Sequence, residues 1–407
     1  MLPAAAAVAS ASSVSLVFGS HDLLGEILLR LGFPTTLVRA ALACKRWLRV
    51  ASDPAFLRLF RARHPPRLLG FYASGCSRIG PAEFWPVRHP PELASAVARA
   101  ASILDALPGR VTDIVDCRHG RLHVCFSRGG DYSSNGDGDG ELEVVLSPLQ
   151  YPAGGAVMLQ LPPAPGSAEH SRCYRLVTHT AAFHYHSIQF LAENGGDGLQ
   201  CFELEQTYYR NNRQTNLKVN VLQDSAWDTR ISITTGLPGS KLITNVLLMV
   251  SKLYMATNDN VLLLDLESAS FCIIELPEKS DFFHNCQLLK ADDSRVYLVT
   301  VRREQLRFWQ HRSVSGSVGN WLLVDTVYLD MIFSNLGTPV GFFKVTFVGD
   351  NAEFVLLQSG RRFYYIDIRC GTIEEVVQRD SFSGIWPLMM IWPPNFPKFK
   401  EGYDQNE

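Results

Sequence analysis

The chain has 407 residues and a mass of 45.4 kDa, which at roughly 150 residues per domain points to two or three units. Hydrophobic residues make up 46% and charged residues 19%, with 23 Phe, 13 Tyr and 7 Trp. That is enough apolar side chain for a large core and excludes global disorder. The formal charge of −2 excludes a polycation built for nucleic acid.

Residues 1–18 are Ala/Ser-rich and are expected to form a disordered tail. A secretory signal needs a charged n-region, and no Lys or Arg precedes Arg30. No apolar run reaches the roughly 18 residues of a membrane helix; the longest strong one, Val246 to Val250, has strand length. The 9 cysteines are scattered, without a C-x-x-C, and most sit in apolar runs such as Leu122-His-Val-Cys-Phe126. They read as free, buried thiols of a reducing compartment, so a cytoplasmic and/or nuclear location is expected.

From His21 to about His64 the apolar spacing is helical. Asp22 is a candidate N-cap, followed at helix spacing by Leu23, Ile27, Leu28 and Leu31, and Gly32-Phe33-Pro34 stops the run. Thr35 or Thr36 opens a second helix with Leu37, Val38, Ala41 and Leu42, and Cys44-Lys-Arg-Trp47 leads into a third. Ser52-Asp53-Pro54 restarts a fourth, Pro being well placed at the first helical position, with Phe56, Leu57 and Phe60 as its stripe. So small a core is marginal alone and gains from a partner. Arg39, Lys45, Arg46, Arg49, Arg58, Arg61 and Arg63 stand against Asp53 alone. The cluster reads as a solvated face, a patch for an acidic protein, or a nucleic-acid footprint.

The stretches Asp22-Leu-Leu-Gly-Glu-Ile-Leu-Leu-Arg-Leu31, Thr35-Thr-Leu-Val-Arg-Ala-Ala-Leu-Ala-Cys-Lys-Arg-Trp47 and Ser52-Asp-Pro-Ala-Phe-Leu57 resemble an F-box in order and spacing. The sequence departs from that family at Gly19-Ser20, where the family carries Leu-Pro, and at Ala43, where Val precedes the Cys. The resemblance implies docking on the adaptor subunit of a cullin-RING ubiquitin ligase, with apolar anchors at helical spacing filling a groove. By position those anchors are Leu23, Leu24, Ile27, Leu28, Leu37, Val38, Cys44 and Trp47. For about half of them core of the helical unit is the better reading, and Leu31, Leu42 and Phe56 are expected to face inward.

Pro65-Pro66 closes the helical unit. Residues 65–110 read as a linker with a possible helix from Glu92 to Leu107. The period then becomes two, and a loose repeat appears: a small or turn residue, an optional base, then a β-branched or Leu residue, an aromatic or His, and apolar residues. Copies are Gly120-Arg-Leu-His-Val-Cys-Phe126, Ser251-Lys-Leu-Tyr-Met-Ala256 and Ser294-Arg-Val-Tyr-Leu-Val299, with weaker ones at Ser187-Ile-Gln-Phe-Leu191 and Ala352-Glu-Phe-Val-Leu-Leu357. A second strand follows, as in Leu263-Leu-Asp-Leu-Glu-Ser268 and Tyr365-Ile-Asp-Ile-Arg369. Repeats at this rough spacing favour a β-propeller over a β-sandwich pair or an irregular barrel. Asn216 to Leu222 and Arg230 to Thr235 also read as strands and leave room for another blade. The layout resembles plant F-box proteins with a divergent β-propeller-like C-terminal half, without a Kelch double glycine or a repeated Trp-Asp.

Other chemistry in the β region is weak. Asn135-Gly-Asp-Gly-Asp-Gly140 mimics half a calcium loop, but Leu146 stands where the bidentate Glu is required. His179, His184 and His186 lack a spaced fourth ligand. Gly236-Leu-Pro-Gly-Ser-Lys241 has the wrong glycine spacing for a phosphate loop. Arg302-Arg-Glu-Gln-Leu-Arg-Phe-Trp-Gln-His-Arg312 and Tyr208-Tyr-Arg-Asn-Asn-Arg213 interleave bases with aromatics. They are candidate recognition surfaces, with Tyr208, Tyr209, Arg210, Arg307 and Trp309 as candidate substrate contacts, or else ordinary amphipathic strands and turns.

The expected architecture is an α+β multidomain chain: tail 1–18, all-α F-box 19–64, linker 65–110, all-β propeller-like domain 111–395 of about six blades, and tail 396–407. The expected function is that of a substrate receptor, not an enzyme. It would bind the ligase adaptor and an unidentified protein substrate, with no membrane, no nucleic acid, no cofactor and no metal. The alternative is a propeller-type ligand-binding or enzymatic domain beside a degenerate F-box.

Overall fold

A computed structural model describes residues 20–75, 82–107, 109–118, 120–127, 142–149, 158–160, 177–179, 182–192, 199–209, 214–223, 226–235, 245–249, 251–257, 260–278, 286–291, 295–312, 319–333, 342–378, 382–394 and 396. The two expected tails, the Asn135–Gly140 loop, the Gly236–Lys241 turn and Arg210 lie outside them, apart from Phe396.

Among the described residues four helices come first: α1 (His21–Leu28), α2 (Pro34–Ala41), α3 (Lys45–Ala51) and α4 (Pro54–Arg63). Ser20, not Asp22, caps α1, its hydroxyl accepting from the Leu23 amide at 3.4 Å, while Asp22 sits in the first turn facing the positive end of the helix dipole. Pro34 opens α2, and the Thr36 hydroxyl satisfies both the amide and the carbonyl of Phe33. Asp53 caps α4 through the Ala55 and Phe56 amides at 2.8 and 2.9 Å, with Pro54 at the first position. The four helices enclose Leu24, Leu28, Leu37, Ala41, Val50, Ala51, Phe56 and Phe60.

Beyond Pro66 come β1 (Leu68–Gly75), β2 (Glu83–Pro86) and α5 (Ala94–Ser102). Five full sheets follow. The first is β3 (Arg110–Arg118), β4 (Arg121–Ser127), β5 (Leu142–Leu146) and β6 (Met158–Gln160). The second has five strands: β7 (Val177–His179), β8 (Ala182–Ala192), β9 (Leu199–Tyr209), β10 (Gln214–Gln223) and β11 (Ala226–Thr235). The third is β12 (Asn245–Met249), β13 (Lys252–Ala256), β14 (Asn260–Asp265) and β15 (Ser270–Glu275). The fourth is β16 (Cys286–Lys290), β17 (Val296–Arg302), β18 (Gln305–Arg312) and β19 (Asn320–Tyr328), followed by the short α6 (Leu329–Phe333). The fifth is β20 (Phe343–Val348), β21 (Phe354–Ser359), β22 (Arg362–Asp367) and β23 (Thr372–Gln378). Each is an antiparallel meander, and β24 (Phe382–Met389) then pairs with β1, which pairs with β2.

Strands β12, β16, β20, β24 and β3 lie beside one another in that order, so the sheets radiate around a common axis as in a β-propeller. The described residues form five full blades, not about six; the remaining sheet, β2-β1-β24, has three described strands and joins the fifth blade to the first. The recognised repeat marks the second strand of every full blade: β4, β8, β13, β17 and β21. Asn216–Leu222 and Arg230–Thr235 fall in β10 and β11 of the second blade rather than in a further one. Residues 65–110 are also more than a linker, because β1 and β2 build the closing sheet and α5 packs on the first blade.

Blade stacking explains why these strands read as apolar runs rather than clean alternation. In β13, Leu253 and Met255 pack toward the second blade while Tyr254 and Ala256 pack toward the fourth. In β17, Leu298 faces the third blade and Val299 the fifth. Both faces of a blade are interior, and the core is a set of interblade layers rather than one centre.

Cys44, Cys117, Cys272, Cys286 and Cys370 are free, but Cys125, buried in β4, is disulfide-bonded. The residues opposite Cys125 on the neighbouring strands are Asp113 and Glu143, and the scattered spacing in sequence gave no sign of this bond. Burial pushes the Cys286 thiol up to about 12, and burial with the neighbouring Asp116 carboxylate raises Cys117 strongly. At about pH 8 an alkylating reagent is therefore expected to label the exposed Cys44 and Cys370 in the native protein and to spare Cys117 and Cys286 until denaturant is added. Rapid native labelling of Cys286, read by peptide mass spectrometry, would contradict this packing.

Candidate functional site

The helical unit presents two different faces. On the outward side, Leu23, Leu42 and Leu59 are 48%, 52% and 61% exposed, and Ile27, Val38 and Trp47 are half-buried. A bundle with so small a core gains nothing by leaving these in water. Of the seven clustered bases, Arg39, Lys45, Arg46, Arg49, Arg58 and Arg63 are exposed. Lys45 and Arg46 stand in the first turn of α3, where the helix dipole adds to their positive potential instead of offsetting it.

Arg61 is the exception among the bases: it is buried at the opposite face of α4, against the propeller. It ion-pairs with Glu353 at 3.6 Å and with Asp350 at 3.9 Å, both in the turn between β20 and β21, and lies 5.8 Å from the centroid of the Trp392 ring. Arg369, after β22, donates to the Ala62 carbonyl at 3.3 Å. The fifth blade is locally acidic here. Burial, then Asp367 and Glu353, push the Tyr365 phenol up.

The residues singled out in sequence as anchors separate into two groups. Leu24, Leu28 and Leu37 are fully buried in the helical core. Leu23 and Cys44 are exposed, and Ile27, Val38 and Trp47 are partly accessible. Phe56 and Leu31 pack inward as expected, whereas Leu42 does not. Ala41 takes the inward position, and Leu42, about 100° further round the helix, points out. Leu59 gave no sequence signal and Arg61 read only as one of the basic cluster, because their roles depend on which side of α4 meets the propeller.

In the β domain, Arg307 and Trp309 share one face of β18. Arg307 pairs with Glu278 and also bonds to Gln305, and the Trp309 indole N–H donates to the Thr300 hydroxyl at 3.1 Å. Both are tied into contacts within and between blades. Tyr208 and Tyr209 lie at the end of β9 with only their backbone described, as do His179, His184 and His186 in β7 and β8. Among the described residues no group of three or more His, Cys, Asp or Glu could hold a metal ion, and no helix is long and apolar enough to cross a membrane.

Comparison with known proteins gives one specific match. A family model described as F-box protein AT5G49610-like, beta-propeller, matches residues 113–396, more than half of the chain. No curated protein matches it. Among solved structures, the extracellular domain of a hybrid two-component system of B. thetaiotaomicron is 10% identical, with a TM-score of 0.32. That alignment covers 67% of this chain, but the chain spans only 28% of the length of that protein. The GH93 α-L-arabinofuranosidase of Fusarium graminearum, in complex with arabinobiose, is 11% identical with a TM-score of 0.33, covering 66% of this chain and 80% of that one. Likenesses this distant carry no argument about activity.

Proposed function

The chain belongs to the F-box protein AT5G49610-like β-propeller family, and from that premise we propose that its four N-terminal helices are an F-box and that the protein is the substrate-recognition subunit of an SCF-type cullin-RING ubiquitin ligase. The observation that carries this reading is the outward apolar set Leu23, Ile27, Val38, Leu42 and Trp47, on helices whose other faces are buried, bordered by exposed bases. Such a surface suits a partner that offers an apolar groove with an acidic rim. Ser20, standing where the family carries part of its Leu-Pro pair, caps α1 and so keeps the start of the first helix in place.

The propeller is the part that holds a protein substrate, and the chain itself performs no bond chemistry. Its contribution is proximity: a substrate held beside the charged ubiquitin carrier meets it at raised effective concentration. The substrate docks on the propeller, with Tyr208, Tyr209 and Arg210 retained from the sequence as candidate contacts. A cytoplasmic and/or nuclear location is part of the same proposal, and it rests on the adaptor reading rather than on the cysteines.

Leu28 is no clean probe of the adaptor surface, because an Asp there would unfold the core. The proposal is tested by pull-down of the full-length protein with the ligase adaptor, comparing wild type with Leu23→Asp plus Leu42→Asp, two exposed sites. Wild type is expected to bind, and the double variant to lose at least ~10-fold in affinity, about 1.4 kcal/mol, with an unchanged circular dichroism spectrum. Failure of wild type to bind at low salt would overturn the adaptor reading.

A further inference from the structure

The segment that follows β24 does not stop at the propeller. The Met390 amide donates to the Arg67 carbonyl at 2.9 Å, and the chain then places Trp392 and Phe396 against the core of the four helices. The Trp392 ring lies nearly parallel to Phe60, with centroids 6.2 Å apart and planes at 6°, and it also approaches the Arg61 guanidinium. Phe60 in turn packs on His64, whose ring nitrogen reaches the Leu29 carbonyl at 2.8 Å, so contact with Trp392 passes from α4 to the end of α1. Phe33, ahead of α2, reaches across to the core beneath the first blade, and the Arg67 guanidinium lies 5.3 Å from its ring.

We infer that Trp392 and Phe396, more than 300 residues away in sequence, are positioning residues of the N-terminal helical unit: they complete its hydrophobic core and lock it to the closing sheet of the propeller. Two physical arguments support this. A helical unit of this size buries too little apolar surface to be robust alone, so two aromatic rings from outside are a large fraction of its core. The strand that delivers them, β24, is also the strand that pairs with β1. Closure of the propeller and completion of the helical core are therefore one event. The consequence is a fixed direction between the exposed apolar face of α1–α3 and the blades. For a ligase receptor, where a bound substrate must sit at a set distance from the ubiquitin carrier, a fixed arm retains the effective concentration that a loose hinge would dilute. Only this last consequence rests on the adaptor reading.

The test is hydrogen exchange of the full-length chain read by peptide mass spectrometry, for wild type, Trp392→Ala and Trp392→Phe. Trp392→Ala is expected to speed exchange across α1–α4 by ~10-fold or more while leaving β12 to β18 protected, and Trp392→Phe to restore most of the protection. Phe396→Ala, a lesser loss, is expected to act in the same direction and replaces Trp392→Ala if that variant fails to fold. Unchanged exchange in α1–α4, or acceleration that Phe at position 392 does not reverse, would overturn the inference. An adaptor pull-down run in parallel separates the two ideas. Wild type that does not bind, together with Trp392→Ala that loosens the helices, removes the adaptor reading and leaves the positioning role standing.

Discussion

Phe60→Ala is expected to destabilise the helical unit by about 3–5 kcal/mol, the range for truncating a buried Phe. Its ring is fully buried and meets Phe56 at 6.0 Å, His64 at 4.9 Å and Trp392 at 6.2 Å between centroids. Removing it opens one cavity that belongs both to the helical core and to its seam with the propeller, so neither side can collapse independently to fill it. Equilibrium denaturation followed by far-ultraviolet circular dichroism, with proteolysis after Pro65-Pro66 as a second readout, would show it. A loss below about 1 kcal/mol would mean that the seam is not packed as described. Combined with Trp392→Ala, the two losses are expected to be non-additive by about 0.5–1.5 kcal/mol, since each ring is part of the other's contact surface.

Phe71→Ala is expected to cost a similar ~3–5 kcal/mol, at the place where the ring of blades closes. Phe71 is fully buried in β1, in a cluster with Leu68, Ala73 and Ile385 of the closing sheet and Leu356 and Phe363 of the fifth blade. Among the described residues this sheet has three strands, and β1 is the central one, paired on both sides. The room beside it is also tightly set. At Gly70 a β-carbon would collide with the Phe84 ring and the Trp85 carbonyl, so the approach of β2 to β1 requires glycine there. The expected signature of Phe71→Ala is early loss of exchange protection in β1 and β24, followed by α1–α4 through Trp392, with the third and fourth blades protected longest. Loss of protection confined to β1, with the helices unaffected, would separate closure from helix docking.

Local chemistry was readable where its cause was local. Asp53-Pro54 announced the start of α4 because a carboxylate two or three residues before free amides caps them in any context. The first helix cap was displaced from Asp22 to Ser20, a choice between two good capping residues that the extended backbone at Ser20 (φ −85°, ψ 129°) decides. The turn residues ahead of the repeat were informative for the same reason. Gly120 and Ser251 take positive φ of 70° and 53° at hairpin turns of the first and third blades, where the chain must reverse.

What was not readable depended on packing between distant segments. Leu24, Leu28 and Leu37 carry the same apolar signal as Leu23, Ile27 and Val38, and only the contacts among the helices divide core from outward face. The blade count erred toward six because β10 and β11 look like the strands of a further repeat, while their registry with β9 makes them part of the second blade. Arg61 looked like one more member of a basic surface, yet its burial is set by Glu353 and Trp392, some 300 positions away.

The sequence by itself determined that helices precede strands, where the helices begin to within two residues, that five copies of a strand repeat follow, and that the N-terminal segment resembles an F-box. Those features arise from side-chain periodicity and turn chemistry within a few residues. Only the tertiary structure decided that residues 68–86 close the propeller, that the chain's far end completes the helical core, and which apolar side chains face outward. A hydrophobic side chain encodes that it will be buried, but not against what. That partner is chosen by the whole chain, when the closing strand brings its two ends together.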